Sequence, residues 1–169
     1  MNLTDECSDS ASPSEQEQID RIIERLAEIA GRQAARLCSE AEEPWMTLRK
    51  KSLPQHEIDS LNQNIPTAHR EFLKQFGVFE LAHGGCQGFD TFVPQIPRPW
   101  EEAELIDDEC RMPYRHNYLC IAQEGGDGQY YGYDISRVPF QLVVWDFCNC
   151  RPQAADQHSF LDLVEYYLG

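Results

Sequence analysis

Four stretches of this chain hold residue types and spacings from which chemistry could be built. "EGGDGQYYGYD" (residues 124–134) sets three glycines around Asp127, ahead of a run of tyrosines. Backbone amides of such a loop can cradle a phosphate, and an aspartate can help to hold a cation. "HGGC" (83–86) places an imidazole and a thiol on either side of two glycines, which would give a substrate backbone access. "EEAELIDDE" (101–109) clusters carboxylates of the kind used for general acid–base work. Cys148-Asn149-Cys150 is the tightest pair among cysteines 7, 38, 86, 110, 120, 148 and 150.

Each stretch also has a plainer reading. A P-loop needs a Lys and a Ser or Thr after its glycines, and here neither follows. A dinucleotide fingerprint opens a helix, whereas strand-like residues follow Gly128. A calcium loop needs regularly spaced oxygen ligands, and "GQYYGYD" adds only Asp134. Asp-Gly between two alternating segments is a hairpin signal, because glycine tolerates the positive φ of primed turns. Gly126-Asp127-Gly128 therefore reads as the reversal between two strands. No CxxC occurs, and Cys148 and Cys150 lie at a spacing unlike the paired ligands of zinc sites. The carboxylate run has no apolar pocket in its sequence context and reads as a solvated face. No catalytic residue, metal or cofactor is expected. A small Cys/His thiol or metal protein, with "HGGC" as its centre, is the least favoured alternative.

Charge narrows the partners. The 169 residues carry 29 acids and 14 bases, a net charge of −15. Residues 1–45 hold 11 acids against 4 bases, and residues 91–130 hold 8 against 3. Such a chain is repelled by nucleic acid and by anionic membranes, and favours a basic protein partner. The N-terminus lacks the basic start and apolar stretch of a signal peptide, and no apolar run approaches a membrane span. An odd cysteine count without a secretory signal argues against a disulfide framework. A cytoplasmic protein is expected.

The elements that must position these residues follow from periodicity. Residues 1–14 read as a disordered acidic tail. From Ser14, Ile19, Ile22, Ile23, Leu26, Ile29, Ala30 and Leu37 recur at helical spacing to about Ser39, with Ser14 and Glu17 as the expected capping box. Its apolar stripe packs on its own domain, or alternatively on a partner. "SLPQHEIDSLNQ" suggests a short helix opened by Ser52 and Pro54. "IPTAHREFLKQFG" suggests another, with Pro66 in its first turn, His69, Phe72, Leu73 and Phe76 on the inner face, and Gly77 ending it. His69 on that stripe reads as a core histidine. After Gly77 the text turns to Gly, Pro and short extended pieces. "NYLCIAQ", "QYYGYDI" and "FQLVVWDF" read as strands, with Leu119 and Ile121 on one face and Tyr118, Cys120 and Ala122 on the other. "SFLDLVEYYLG" closes as a helix with Phe160, Leu163, Val164 and Tyr167 inward, capped by Ser159 or Asp156. Together these make one α+β domain over residues 15–169: a central, mostly antiparallel sheet packed against N-terminal and C-terminal helices.

Four of these stretches, in this order, resemble the SUKH superfamily (the Smi/Knr family). "IPTAHREFLKQFG" is similar to its hydrophobic–Pro helix, carrying Pro66, Phe72, Leu73 and Gly77. "YLCIAQEGGDGQYYGYD" resembles its strand–turn–strand, carrying Gly126, Asp127, Gly128 and Asp134. "PFQLVVWDF" resembles its next strand, with Trp145 late in it. "SFLDLVEYYL" resembles its closing helix, opened by Phe160. The likeness covers residues 52–169. It departs at His69, where a tyrosine is more usual, and at "FELAHGGCQGFDTF", which matches loosely. The resemblance implies a SUKH-like fold without catalytic residues. It also implies the role of most bacterial members, immunity proteins that bind and neutralise a cognate polymorphic toxin, in many cases a nuclease and so in many cases basic. On that implication Glu101, Glu102, Glu104, Asp107, Asp108 and Glu109 would mimic phosphates, with Trp100 as an aromatic anchor. The alternative within the family is a cytosolic scaffold or regulatory protein. No sequence feature specifies the oligomeric state.

Overall fold

A computed structural model describes residues 10–36, 46–51, 56, 65–83, 86–91, 118–125, 129–146 and 151–169. The first helix, α1 (Pro13–Arg36), starts two residues before the sequence expectation. Ser12 is its cap: its backbone N–H and hydroxyl both donate to Glu15 Oε2, at 2.8 and 2.6 Å, and Glu15 N–H donates back to Ser12 Oγ at 3.3 Å. The capping box is thus Ser12/Glu15 rather than Ser14/Glu17. Pro13 then occupies the first helical position, where its missing N–H costs nothing. Ser14 belongs to the helix, so the tail proposed for 1–14 cannot extend to its stated end. Residues 1–9, 37–45 and the helix expected around 52–64 lie outside the described residues, His56 apart.

Seven strands follow in one antiparallel sheet whose spatial order equals the chain order. They are β1 (Met46–Lys51), β2 (Val78–His83), β3 (Cys86–Thr91), β4 (Tyr118–Glu124), β5 (Tyr130–Asp134), β6 (Gln141–Asp146) and β7 (Arg151–Ala154). Two more helices, α2 (Thr67–Gln75) and α3 (Phe160–Leu168), complete the described elements. The domain is α+β, as the order of sequence patterns predicts. Both edges are protected in ways edge strands commonly use. β1 carries Arg49, Lys50 and Lys51, and β7 carries Arg151 and Pro152.

One face of the sheet receives the three described helices. Ile19, Ile22, Leu26 and Ile29 of α1 pack into a core with Phe72 and Leu73 of α2, Leu163 and Val164 of α3, and Leu81, Phe89, Tyr131 and Leu142 of the strands. The stripe on α1 is therefore spent within the domain, which sets aside its reading as a partner helix. Polar contacts fix the same docking. Gln18 Nε2 donates to Asp162 Oδ1 and Glu165 Oε2 at 3.0 and 2.9 Å. Arg25 donates to the carbonyls of Leu168 and Gly169 at 2.7 and 2.6 Å, where the α3 dipole is negative. At the aromatic centre, Phe72 meets Phe79 and Phe160 edge-on at 6.0 and 5.6 Å.

The opposite face buries a smaller cluster of Tyr118, Cys120, Tyr130, Val143 and Trp145. Strict alternation would put Ala122 there too, and that expectation fails. The β4–β5 register slips between Cys120 and Ala122, so Ile121 and Ala122 both join the helix-side core. A bulge adds one unpaired residue and resets the alternation. Tyr131 and Tyr133 face the helices, while Tyr130 faces away.

Candidate functional site

The residues with a role implied by resemblance separate into two groups. Trp100, Glu101, Glu102, Glu104, Asp107, Asp108 and Glu109 lie outside the described residues, as do Gly126, Asp127 and Gly128. The hairpin they were expected to turn is present: β4 and β5 pair from Tyr118↔Asp134 to Gln123↔Tyr130, and Glu124 N–H donates to Gln129 O at 2.8 Å. The second group is structural throughout. Pro66 precedes α2 as its N-cap residue, with ψ 148°, rather than standing in its first turn, and Gly77 takes φ +88° directly after the helix. Phe72, Leu73, Trp145 and Phe160 are buried. Asp134 accepts from Ser136 N–H at 3.0 Å and meets Arg137 Nε at 3.5 Å, holding the turn after β5. "HGGC" has its ends paired across β2 and β3, His83 opposite Cys86. That is the spacing of a two-residue hairpin. Among the described residues no group of three His, Cys, Asp or Glu is placed to hold a metal.

Two concavities were not legible in the sequence. The first is a polar cleft of about 390 Å³ at the β4–β5 turn end of the sheet. It is lined by Glu124 and Gln129 beside the hairpin, Tyr131 and Val144 on the sheet, Gln153 and Ala154 of β7, Ala155 to Gln157 after it, and Tyr166 and Tyr167 of α3. Tyr131 OH lies 3.0 Å from Gln129 Oε1 and 3.1 Å from Tyr167 OH. Burial raises both phenols above the usual tyrosine range, and the negative charge of Glu124 raises each further. The lining holds two carboxylates, Glu124 and Asp156, and no Lys or Arg among the described residues. Tyr166 stands 65% exposed on its rim. The sequence hint lay in the tyrosines of "QYYGYD" and "VEYYL", but β5 and α3 are brought together only by the fold.

The second is a cavity of about 600 Å³ where the first turns of α1, α2 and α3 converge. Glu15 of α1, residues 65–70 at the start of α2, His158 to Leu161 at the start of α3, and Tyr133 with Val138 to Phe140 line it. His69 is 2% exposed, stacks on Phe160 at 3.6 Å and places Nδ1 3.2 Å from Tyr133 OH. Burial lowers its pKa to about 3, so the ring is neutral. Its Nε2 is buried and has no hydrogen-bond partner among the described residues. The expected core histidine is thus core in packing but satisfied at only one of its two nitrogens.

Elsewhere Asp90 of β3 is buried, with Oδ2 paired to Lys51 Nζ and Oδ1 without a partner among the described residues. Burial raises its pKa, and Lys51 opposes that rise.

Compared with family models, with curated proteins and with solved structures, the chain matches none. No helix among the described residues is long and apolar enough to cross a membrane.

Proposed function

We propose that this chain is a non-catalytic, cytoplasmic binding protein of the bacterial immunity type, which neutralises a basic toxin by covering it. The observation that carries this reading is the polar cleft with Glu124 and Asp156 inside, Tyr166 on its rim and no described cation in its lining. Aromatic side chains beside carboxylates suit an Arg or Lys of a protein partner, through cation–π contact and charge-assisted hydrogen bonds. The net charge of −15 would steer a basic partner toward the surface before docking. The SUKH-like order of motifs supports the same role and assigns the acidic run Glu101–Glu109 to the same partner.

The test is capture of the basic protein encoded beside this chain's gene, using full-length chain as bait. A stoichiometric complex that is weakened at least tenfold by Glu124→Lys with Asp156→Lys is the expected result. Wild-type capture that the double reversal leaves unchanged removes the cleft from the interface. Failure of the wild type to capture any such neighbour favours the scaffold reading.

A further inference from the structure

The polar cleft at the β4–β5 turn end has a chemistry more specific than a basic surface requires. We infer that it is a pocket for one arginine side chain of the partner, and that it selects arginine over lysine. The inference rests on the reading of the cleft as the partner-binding face.

Two carboxylates reach the cleft from different elements. Glu124 ends β4, and Asp156 follows β7, just after Ala155, whose N–H donates to Leu142 O of β6 at 3.3 Å. Tyr131 of β5 lines the floor beside both. Burial raises its phenol pKa, and the charges of Glu124 and Asp156 raise it further, so both carboxylates act at one point. Neither has a Lys or Arg within ion-pair distance among the described residues. Glu71, Glu80, Asp90, Asp134 and Glu165, by contrast, each have one within 4.0 Å.

The aromatic rim is a separate feature. Tyr166 is a large side chain left 65% exposed beside this charge. Its ring meets Tyr167 edge-to-face at 5.2 Å, and Tyr167 is held in turn by stacking on Phe89 at 4.1 Å. Tyrosine of this kind, rigidly backed and open to solvent, is a common anchor for a partner's side chain.

Geometry separates arginine from lysine. A guanidinium is flat, weakly hydrated and carries five N–H donors, so it can stack on a tyrosine and bond two carboxylates at once. An ammonium is a compact, strongly hydrated point charge that cannot stack. Further acceptors are present for the guanidinium. Gln153 donates its amide N–H to Asp146 and keeps its carbonyl oxygen for another donor. At about 390 Å³ the cleft is at the small end of ligand pockets, a size for one long side chain.

The experiment titrates the full chain with N-acetyl-arginine amide, N-acetyl-lysine amide and N-acetyl-citrulline amide. NMR follows the Tyr166 and Tyr167 rings and the Glu124, Gln129 and Asp156 amides. The arginine compound is expected to shift these signals saturably. The lysine compound should bind at least threefold more weakly, and the uncharged citrulline compound at least tenfold. Tyr166→Phe should keep the arginine preference, and Tyr166→Ala should abolish it at unchanged Tm. Glu124→Gln with Asp156→Asn should weaken both cationic compounds at least tenfold. No saturable arginine shift in the cleft, or equal affinity for lysine, overturns the assignment. An arginine preference that survives Tyr166→Ala overturns the role of the ring. Equal affinities, with a captured neighbour still lost on Glu124→Lys with Asp156→Lys, sink the arginine pocket and leave the partner-binding reading standing. Arginine selectivity in the cleft with no neighbour captured supports the pocket and counts against the toxin.

Discussion

Tyr118 lies directly over Gly132. A methyl group built on Gly132 would come within 2.6 Å of Tyr118 Cζ and 2.6 Å of the Leu119 carbonyl. The Tyr118 hydroxyl reaches past it to donate to Tyr130 O at 2.9 Å, and its ring meets Trp145 edge-on at 5.5 Å. Gly132 is therefore required by contact, because its missing side chain is the space the tyrosine fills. Gly132→Ala is expected to destabilise the fold by about 1–3 kcal/mol, the usual cost of overpacking. Urea denaturation checks this. A loss below about 0.5 kcal/mol, within the range of an ordinary surface change, would show that the ring moves aside freely.

Arg25 ties the long helix to the end of α3. Its bonds to the Leu168 and Gly169 carbonyls satisfy acceptors that a helix end otherwise leaves free. Arg25→Ala should cost about 1.5 kcal/mol, in the range for hydrogen bonds to a charged group. Hydrogen exchange should accelerate first in the last turn of α3. Uniform acceleration over the whole chain would mean that the contact holds the global fold rather than this end.

The neutral state of His69 predicts an acid-side loss of stability. Its folded pKa of about 3 lies below the ordinary histidine value of 6.5, so between those values the unfolded chain binds the extra proton. Stability from this group is complete above about pH 6.5 and falls as pH drops, by up to about 1.4 kcal/mol per pH unit. His69→Phe preserves stacking on Phe160 and abolishes this titration. Between pH 6 and pH 4 the wild type should lose stability more steeply than the variant. Parallel slopes in denaturant titrations would show that the ring is protonated in the fold.

Phe72 joins the helices to the sheet at the aromatic centre, where its side chain is fully buried. Phe72→Ala should cost about 3–5 kcal/mol, since neighbours on α3 and β2 are held by their own elements and cannot close the void. A thermal melt checks it, and a change under about 1 kcal/mol would mean that the core collapses onto the gap.

Binding of a basic partner through the cleft should depend on salt. Affinity is expected to fall as ionic strength rises, mainly through the association rate. Stopped-flow mixing at two salt concentrations measures this, and a salt-independent rate would leave charge out of the recognition.

Much of the frame was legible along the chain, because helices and hairpins are local. The three- and four-residue spacing of Ile19, Ile22, Leu26 and Ile29 marked the buried stripe of α1. Ser159 announced the cap of α3, which its side chain makes with Asp162 N–H at 3.1 Å. The two alternating runs around the Gly-Asp-Gly of residues 126–128 announced β4 and β5. "MTLRKK" and "RPQA" did not announce β1 and β7, because edge strands carry charge and proline in place of an apolar signature. The bulge at Ile121 was silent for a related reason: alternation is a property of single strands, and a register slip exists only between two.

Sequence alone determined the acidic balance, the fold class and the inward face of each helix, since these rest on composition and short-range period. Only tertiary structure brought Glu15, His69, Tyr133 and His158 to one cavity, and Glu124, Asp156 and Tyr166 to one cleft. Those residues lie on separate elements, and their juxtaposition is decided by sheet order and helix docking. For the same reason no reading of "AHREF" could show that His69 keeps one nitrogen unpaired: its neighbours Tyr133 and Phe160 are supplied by β5 and α3.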